Sequence, residues 1–126
     1  MRNIILTTIL LMMVSVLPAM GKGALTFEST QADFGNVKAK GGEVSMTYRF
    51  TNTGDEPVSI VTVTNGGCGC TKPTFSPKPY RPGESGEIVI HFNPATFRGE
   101  VNREVKVQTS AQKKRLKLRF QGIVIP

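Results

Sequence analysis

Apolar and polar residues alternate with a period of two along most of the chain after residue 22. The pattern is clearest over residues 43–52, where Val44, Met46, Tyr48 and Phe50 share one face and polar side chains share the other. Such alternation is typical of a β-strand with one buried face. The spacing of 3.6 residues that marks an amphipathic helix does not occur in this part of the chain. The mature sequence therefore predicts strands.

Later segments repeat the pattern. Their inward-facing residues are Ile88, Ile90 and Phe92; then Val101, Val105 and Val107; then Leu116, Leu118 and Phe120. Arg103 falls on the inward face of the second group, which predicts a position at the rim or a bulged strand. Residues 58–64 are rich in β-forming residues but break the two-residue period, which predicts a bulge. Residues 25–28 and 33–37 predict a first strand that is split in two.

Turn residues separate these segments. Residues 52–57 combine Asn, Gly, Asp and Pro, and residues 73–83 hold four prolines, which excludes an interior strand there. We expect an extended crossover in the second case, ending in a turn over residues 81–84. About seven short strands with turn signals every 8–12 residues are typical of a sandwich. The sequence predicts an all-β fold, a single immunoglobulin-like β-sandwich.

The first residues have the order of a secretory signal peptide. A basic start with Arg2 is followed by an apolar run over residues 4–17, then Pro18 and small residues up to Gly21. A membrane anchor would need about 20 apolar residues, more than this run supplies. We expect cleavage after residues 1–21, one domain over residues 22–126 without a transmembrane segment, and a periplasmic or secreted location.

The chain is basic, with a formal net charge of +7. This balance favours acidic partners, and export argues against nucleic acid as the partner. Arg115, Lys117 and Arg119 are predicted on the outer face of the last strand, with Lys106 on a neighbouring strand. These four residues are a candidate anion-binding site. The alternative is a solvated face whose lysines discourage edge-to-edge pairing of strands.

Cys68 and Cys70 are the only cysteines, separated by Gly69. In an extended strand their Cα atoms would lie about 6.6–6.8 Å apart, at the upper limit for a disulfide, and a bend at Gly69 would bring them closer. A bridge over three residues stabilises the fold by only about 1.6 kcal/mol in the chain-entropy model. Three interpretations stay open: a structural loop, a thiol–disulfide site, or a site for a soft metal such as Cu(I).

A closed zinc site needs four ligands, and His91 is the only histidine. It alternates with Ile90 and Phe92, so we expect it to point away from the core. Cys68 and Cys70 are therefore weak metal candidates, and no cofactor is expected.

Four motifs occur in an order that resembles one bacterial family. They are DFGNV at residues 33–37, FTNTGD at 50–55, CGCT at 68–71 and PGE at 82–84, and the late pattern of Leu116, Leu118, Gly122 and Val124 also fits. The family is domain of unknown function 1573, and the resemblance spans residues 25–125. It implies an immunoglobulin-like sandwich related to Hydin-type and major sperm protein-like domains, an exported location, and no particular activity. Gly67 departs from the pattern, which has a serine before the first cysteine.

Motifs for nucleophilic catalysis, phosphate loops and dinucleotide binding are absent from the sequence, so we expect no enzyme. The leading hypothesis is an exported, non-enzymatic interaction module that binds another envelope protein. One alternative is a thiol–disulfide or Cu(I)-handling protein that uses the Cys-Gly-Cys loop. The second is a binder of anionic glycans. The oligomeric state and the identity of the partner stay open.

Overall fold

The computed structural model describes residues 23–126. The predicted signal peptide, residues 1–21, lies outside the described residues. All regular elements in the described part are strands, and they are β1 Leu25–Phe27, β2 Gln31–Lys38, β3 Val44–Asn52, β4 Ile60–Val63, β5 Thr71–Thr74, β6 Ser85–Phe92, β7 Gly99–Thr109 and β8 Gln112–Ile125. Among residues 23–126 there is no helix of the length and hydrophobicity needed to cross a bilayer.

The strands form two four-stranded sheets. The first sheet has the order β1-β3-β6-β5 and the second has the order β2-β8-β7-β4. Immunoglobulin constant-type domains place strands A, B, E and D on one sheet and C, F and G on the other. The order found here corresponds to that arrangement, with β2 added beside the last strand. The predicted all-β sandwich is confirmed.

The first strand is split between the two sheets, which explains why eight strands are found where about seven were expected. β1 pairs with β3 in the first sheet, and β2 pairs with β8 in the second sheet as the only parallel pair among the described strands. The register shifts between Asp33 and Asn36, where Gly35 adopts a φ of 74°. A glycine is suited to this position because side chains disfavour positive φ.

The inward faces of both sheets meet in one aromatic-rich core. The ring of Phe92 lies 5.0 Å from that of Phe97, 5.4 Å from that of Phe120 and 5.5 Å from that of Phe34, measured between centroids. Tyr48 joins the two sheets, because its hydroxyl donates a hydrogen bond of 2.9 Å to the carbonyl oxygen of Arg119. The core therefore depends on contacts from both layers.

Asn52 is a buried polar residue whose amide is fully hydrogen-bonded. Its Nδ2 donates to the carbonyl oxygens of Glu56 and Tyr80, each at 2.8 Å. Its Oδ1 accepts from the backbone N–H groups of Ala24 at 3.2 Å and Gly54 at 2.9 Å. One side chain thus ties together three separate segments at the end of β3.

Two expectations about irregular segments have different outcomes. Pro73 was expected in a crossover but lies within β5, paired opposite Ile90. Proline fits there because β5 is at the edge of the first sheet, where one side of the strand needs no donor. The predicted bulge near residue 60 is found as a register shift between Ile60 and Thr62.

Candidate functional site

The Cys-Gly-Cys loop lies in the connection between β4 and β5, where the chain passes from the second sheet to the first. Cys68 and Cys70 form a disulfide with a Cα–Cα distance of 5.2 Å. A bend at Gly69 was expected and is found, since Gly69 lies in a turn closed by the hydrogen bond from the N–H of Thr71 to the carbonyl oxygen of Cys68. Gly69 makes this turn without positive φ, which occurs at Gly66 (69°) and Gly67 (80°) in the turn before the first cysteine. Gly67 therefore occupies a position that a serine would adopt only with strain.

Backbone hydrogen bonds hold this loop against both sheets. The N–H of Asn93, just after β6, donates to the carbonyl oxygen of Cys70 at 2.8 Å. On the other side, the N–H of Thr64 donates to the carbonyl oxygen of Lys106 at 2.9 Å. Within the loop, the N–H of Thr71 donates to the carbonyl oxygen of Cys68 at 3.2 Å. The loop is thus attached at both ends by bonds that do not involve sulfur.

Arg103 lies at the rim of the core beside the loop. A rim position was one of the two alternatives predicted for it, and a bulged strand was the other. It occupies the inward face of β7 without a register shift, opposite Phe120. Its guanidinium donates to the carbonyl oxygen of Gly66 at 3.5 Å and lies 5.8 Å from the ring centre of Phe97. The sequence indicated its unusual face but not its contact with the loop, because that contact depends on the path of residues 64–70.

The two sulfur atoms have different polar surroundings. The backbone N–H of Cys70 points at Sγ of Cys68, with a nitrogen–sulfur distance of 3.2 Å. Sγ of Cys70 lies 3.5 Å from the hydroxyl of Thr71, and the residue Cys70 is partly buried beside the core. Both cysteines are half-buried, and Gly69 between them is exposed, with no atom within 4 Å of the position a Cβ would take. The loop therefore has an open outer side.

Cys68 and Cys70, the weak candidates for metal binding, do not lie in a group of other metal-binding side chains within the described residues. Among residues 23–126 no three His, Cys, Asp or Glu side chains are grouped as a metal site would require. His91 lies on the outer face of the first sheet, where its Nδ1 is 3.0 Å from the hydroxyl of Ser45 and 3.3 Å from a carboxylate oxygen of Glu43. Its polar contacts are on that sheet and not on either cysteine.

The predicted basic face lies on β7 and β8. The residues opposite its members on the neighbouring strand differ in charge, which separates Arg119 from the others. Lys106 on β7 lies directly opposite Lys117 on β8. Arg119 lies opposite Glu104 instead and forms an ion pair of 2.9 Å with it. Arg119 also donates to the side-chain oxygen of Asn102 at 2.8 Å. The charge of Arg119 is thus compensated, so it contributes less to anion binding than the sequence suggested.

The remaining basic residues form what we call the cationic cluster: Lys106, Arg115 and Lys117. All three are exposed, and none has an ion pair within the described part of the chain. β7 and β8 are both interior strands of the second sheet. The pairing of β2 with β8 begins only at Arg119, so Arg115 and Lys117 lie on a part of β8 whose outer edge no described strand covers. Their charges therefore also fit the alternative explanation, protection against edge-to-edge pairing.

The same outer face changes character along β8. Beyond the Glu104–Arg119 ion pair, Ile123 and Ile125 are exposed to 46% and 42%. Both are outward-facing residues of β8, in alternation with the buried Gly122 and Val124. The outer face of β8 therefore has a cationic end and an apolar end.

Two four-stranded sheets packed face to face define this protein as a β-sandwich, and its distinguishing feature is the Cys-Gly-Cys loop between them. The chain belongs to the family described as "Protein of unknown function (DUF1573)", whose model matches residues 25–124. The family inferred from the sequence motifs is thereby confirmed. None of the curated proteins compared with this chain matches it.

Solved structures of low sequence identity share the fold. A protein of unknown function from Porphyromonas gingivalis W83 is similar at a TM-score of 0.69 and 17% identity, over 85% of this chain and 50% of that one. The VesB protease of Vibrio cholerae is similar at a TM-score of 0.63 and 16% identity, over 79% of this chain and 31% of that one. The secreted serine protease VesC from the same organism is similar at a TM-score of 0.59 and 15% identity, over 80% of this chain and 23% of that one. The chain thus spans half or less of these proteins.

Proposed function

We propose that this protein is an exported, non-enzymatic binding module of the cell envelope, and that its partner is a protein with an acidic surface. The observation that carries the proposal is the cationic cluster. Lys106 and Lys117 lie directly opposite each other on the paired strands β7 and β8. Like charges in this position repel each other and destabilise a sheet. An acidic group that binds between the two ammonium groups reduces this repulsion.

The geometry of the cluster suits a surface contact. Side chains directly opposite on one face of a sheet have Cβ atoms about 4.5–5.5 Å apart, so two ammonium groups can meet one carboxylate or two adjacent ones. The continuous pairing of β7 with β8 limits movement of the backbone that carries them. Electrostatic complementarity of this kind accelerates association and selects partners by charge.

A protein partner is favoured over an anionic glycan by the apolar end of the same face. Ile123 and Ile125 are exposed on β8, the strand that also carries Arg115 and Lys117. A protein interface combines an apolar part with a polar rim, and this face offers both at its two ends, whereas a sulfated or uronic polysaccharide would use the charges alone.

The test is retention of envelope proteins on the immobilised mature domain. The face variant carries Lys106→Glu, Arg115→Glu and Lys117→Glu. The matched control carries three charge reversals on the other sheet, at the exposed residues Lys72, Lys78 and Arg81 of β5 and the connection that follows it. We expect the wild type and the control to retain the same proteins, in a salt-sensitive manner, and the face variant to lose them.

Equal retention by both variants would refute the assignment of this face. A second column of anionic polysaccharide separates the alternatives. Retention there that the face variant loses, together with no saturable protein partner, would replace the protein partner with a glycan. Thermal unfolding of the wild type, the face variant and the control checks that each protein is folded.

A further inference from the structure

The Cys68–Cys70 disulfide is not needed to hold its loop in place. The ring it closes spans three residues, so it restricts the unfolded chain very little. Both ends of the connection are attached by backbone hydrogen bonds, from Asn93 to Cys70 and from Thr64 to Lys106. A disulfide that is redundant for structure and half-exposed is of the kind that exchanges with other thiols.

We propose that this disulfide is redox-active and accepts two electrons from a dithiol of another exported protein. The inference is independent of the cationic cluster and of the binding function proposed above. It rests on three observations. The two sulfur atoms have different hydrogen-bond partners, the outer side of the loop is open, and the loop is attached by backbone hydrogen bonds that do not depend on the disulfide.

The difference in hydrogen-bond partners favours Cys68 as the leaving group. The backbone N–H of Cys70 already points at Sγ of Cys68, at 3.2 Å, and a fixed donor of this kind stabilises a thiolate. The hydroxyl near Sγ of Cys70 belongs to Thr71 and lies farther away, at 3.5 Å, where either atom could be the donor. Arg103 adds a positive charge beside the loop, with its guanidinium on the carbonyl oxygen of Gly66.

Access to the sulfur atoms is provided by the glycines. Gly67 and Gly69 are exposed, and a Cβ on either would meet no atom within 4 Å. The outer side of the disulfide is therefore flanked by backbone without side chains. A substrate cysteine on a loop or an unfolded segment can approach it without a steric barrier from its neighbours in sequence.

The reaction is an ordinary thiol–disulfide exchange. A substrate thiolate attacks Sγ of Cys70 and forms a mixed disulfide, while the Cys68–Cys70 bond breaks and its electron pair stays on Cys68. The second substrate thiolate then attacks the substrate sulfur of the mixed disulfide, which closes the substrate disulfide and releases Cys70 as a thiolate. Two electrons pass from the substrate to Cys68 and Cys70, and the two protons lost by the substrate are available to these thiolates.

The experiment uses the mature domain with both cysteines oxidised. It is mixed with reduced glutathione or dithiothreitol under native conditions, quenched in acid, alkylated and weighed by mass spectrometry. We expect reduction in the folded state, together with oxidation of a reduced two-cysteine peptide added as substrate. A disulfide that opens only after the domain is unfolded would overturn the proposal and leave a structural clip.

Two single-cysteine variants test the assigned polarity. Cys70→Ser keeps the backbone N–H that faces Cys68, so its remaining thiol should react with iodoacetamide at pH 7 about tenfold faster than the thiol left in Cys68→Ser, the lower end of the range expected for a hydrogen bond to a charged group. Equal rates would overturn the role of Cys68 as leaving group. Both variants should lose no more stability than the three-residue ring confers through chain entropy, a fall in Tm of roughly 10 °C at most, because the loop keeps its backbone bonds. A much larger fall would overturn the claim that the disulfide is not needed to hold the loop.

Discussion

The ring of Phe34 occupies the space into which a side chain at position 122 would point. Gly122 is buried on the inward face of β8, and a Cβ placed there would overlap three atoms of the ring. The ring in turn lies 5.5 Å from that of Phe92 and 6.4 Å from that of Phe120. The absence of a side chain at Gly122 is therefore what allows β2 to place an aromatic residue in the core.

Replacing Gly122 with alanine should destabilise the domain by about 1–3 kcal/mol, the usual cost of overpacking a core. The Phe34 ring has to move, and its contacts with Phe92 and Phe120 loosen. Urea unfolding at neutral pH measures the change. Gly69→Ala is the matched control, since no atom lies near its Cβ position and its φ is not positive, and it should shift the midpoint little. Equal effects of the two substitutions would contradict the packing described here.

Replacing Asn52 with leucine should cost roughly 2–4 kcal/mol. The substitution removes one buried and three part-buried hydrogen bonds, while the carbonyl oxygen of Tyr80 keeps its bond from the N–H of Val58. The free energy of unfolding from denaturant titration is the measurement. Thr53→Ala, next in sequence, removes an exposed hydroxyl contact with Thr26 and should cost less than about 1 kcal/mol. A comparable loss in both variants would argue against Asn52 as the polar centre of this end of the sandwich.

Stability should fall between about pH 10 and pH 12 because of Tyr48. Burial raises the pKa of Tyr48 from 10.0 to about 12. In this window the unfolded chain has released the phenolic proton while the folded chain retains it, so the unfolded state binds fewer protons and stability decreases as pH rises. The contribution present below pH 10 is lost by pH 12 and amounts to about 2 kcal/mol.

Tyr48→Phe isolates this effect. At pH 7 the variant should be less stable by about 1 kcal/mol, because the hydrogen bond to the carbonyl oxygen of Arg119 is lost. Between pH 10 and pH 12 its stability should fall less steeply than that of the wild type. Unfolding curves at pH 8, 10, 11 and 12 give the comparison. Parallel pH profiles for the two proteins would show that Tyr48 does not titrate in this range.

Replacing Glu104 with glutamine should strengthen binding of the acidic partner. The change removes the carboxylate that compensates Arg119, so the guanidinium joins the cationic cluster. We expect elution of retained envelope proteins at higher salt than for the wild type, and a change in stability of less than about 1 kcal/mol, since the pair is partly exposed. Elution at the same salt concentration would place the contact elsewhere on the domain.

Strand positions were predictable from the sequence because burial on one face imposes a two-residue period. Val44, Met46, Tyr48 and Phe50 share an inward face as expected. The split first strand was also visible, because residues 25–28 and 33–37 are separated by polar residues. Strand assignment needs only local information, and the sequence contains it.

The pairing of charged residues across strands was not predictable. Whether Arg119 faces Glu104 or Lys106 depends on the register of β7 against β8, which the hairpin between them sets through an irregular pairing near Thr109. The period of two fixes the face of each residue but not its neighbour on the next strand. For the same reason Arg103 could be placed at a rim, but not beside the Cys-Gly-Cys loop.

The parallel pairing of β2 with β8 has a mechanical consequence. β2 lies near the start of the described domain and β8 at its end, and the two run side by side in the same direction. A tension that draws the two ends of the domain apart pulls these strands in opposite directions along their length. Their hydrogen bonds are then loaded together in shear instead of being opened one after another. The split of the first strand therefore suits the domain to hold its shape under a force that pulls its two ends apart.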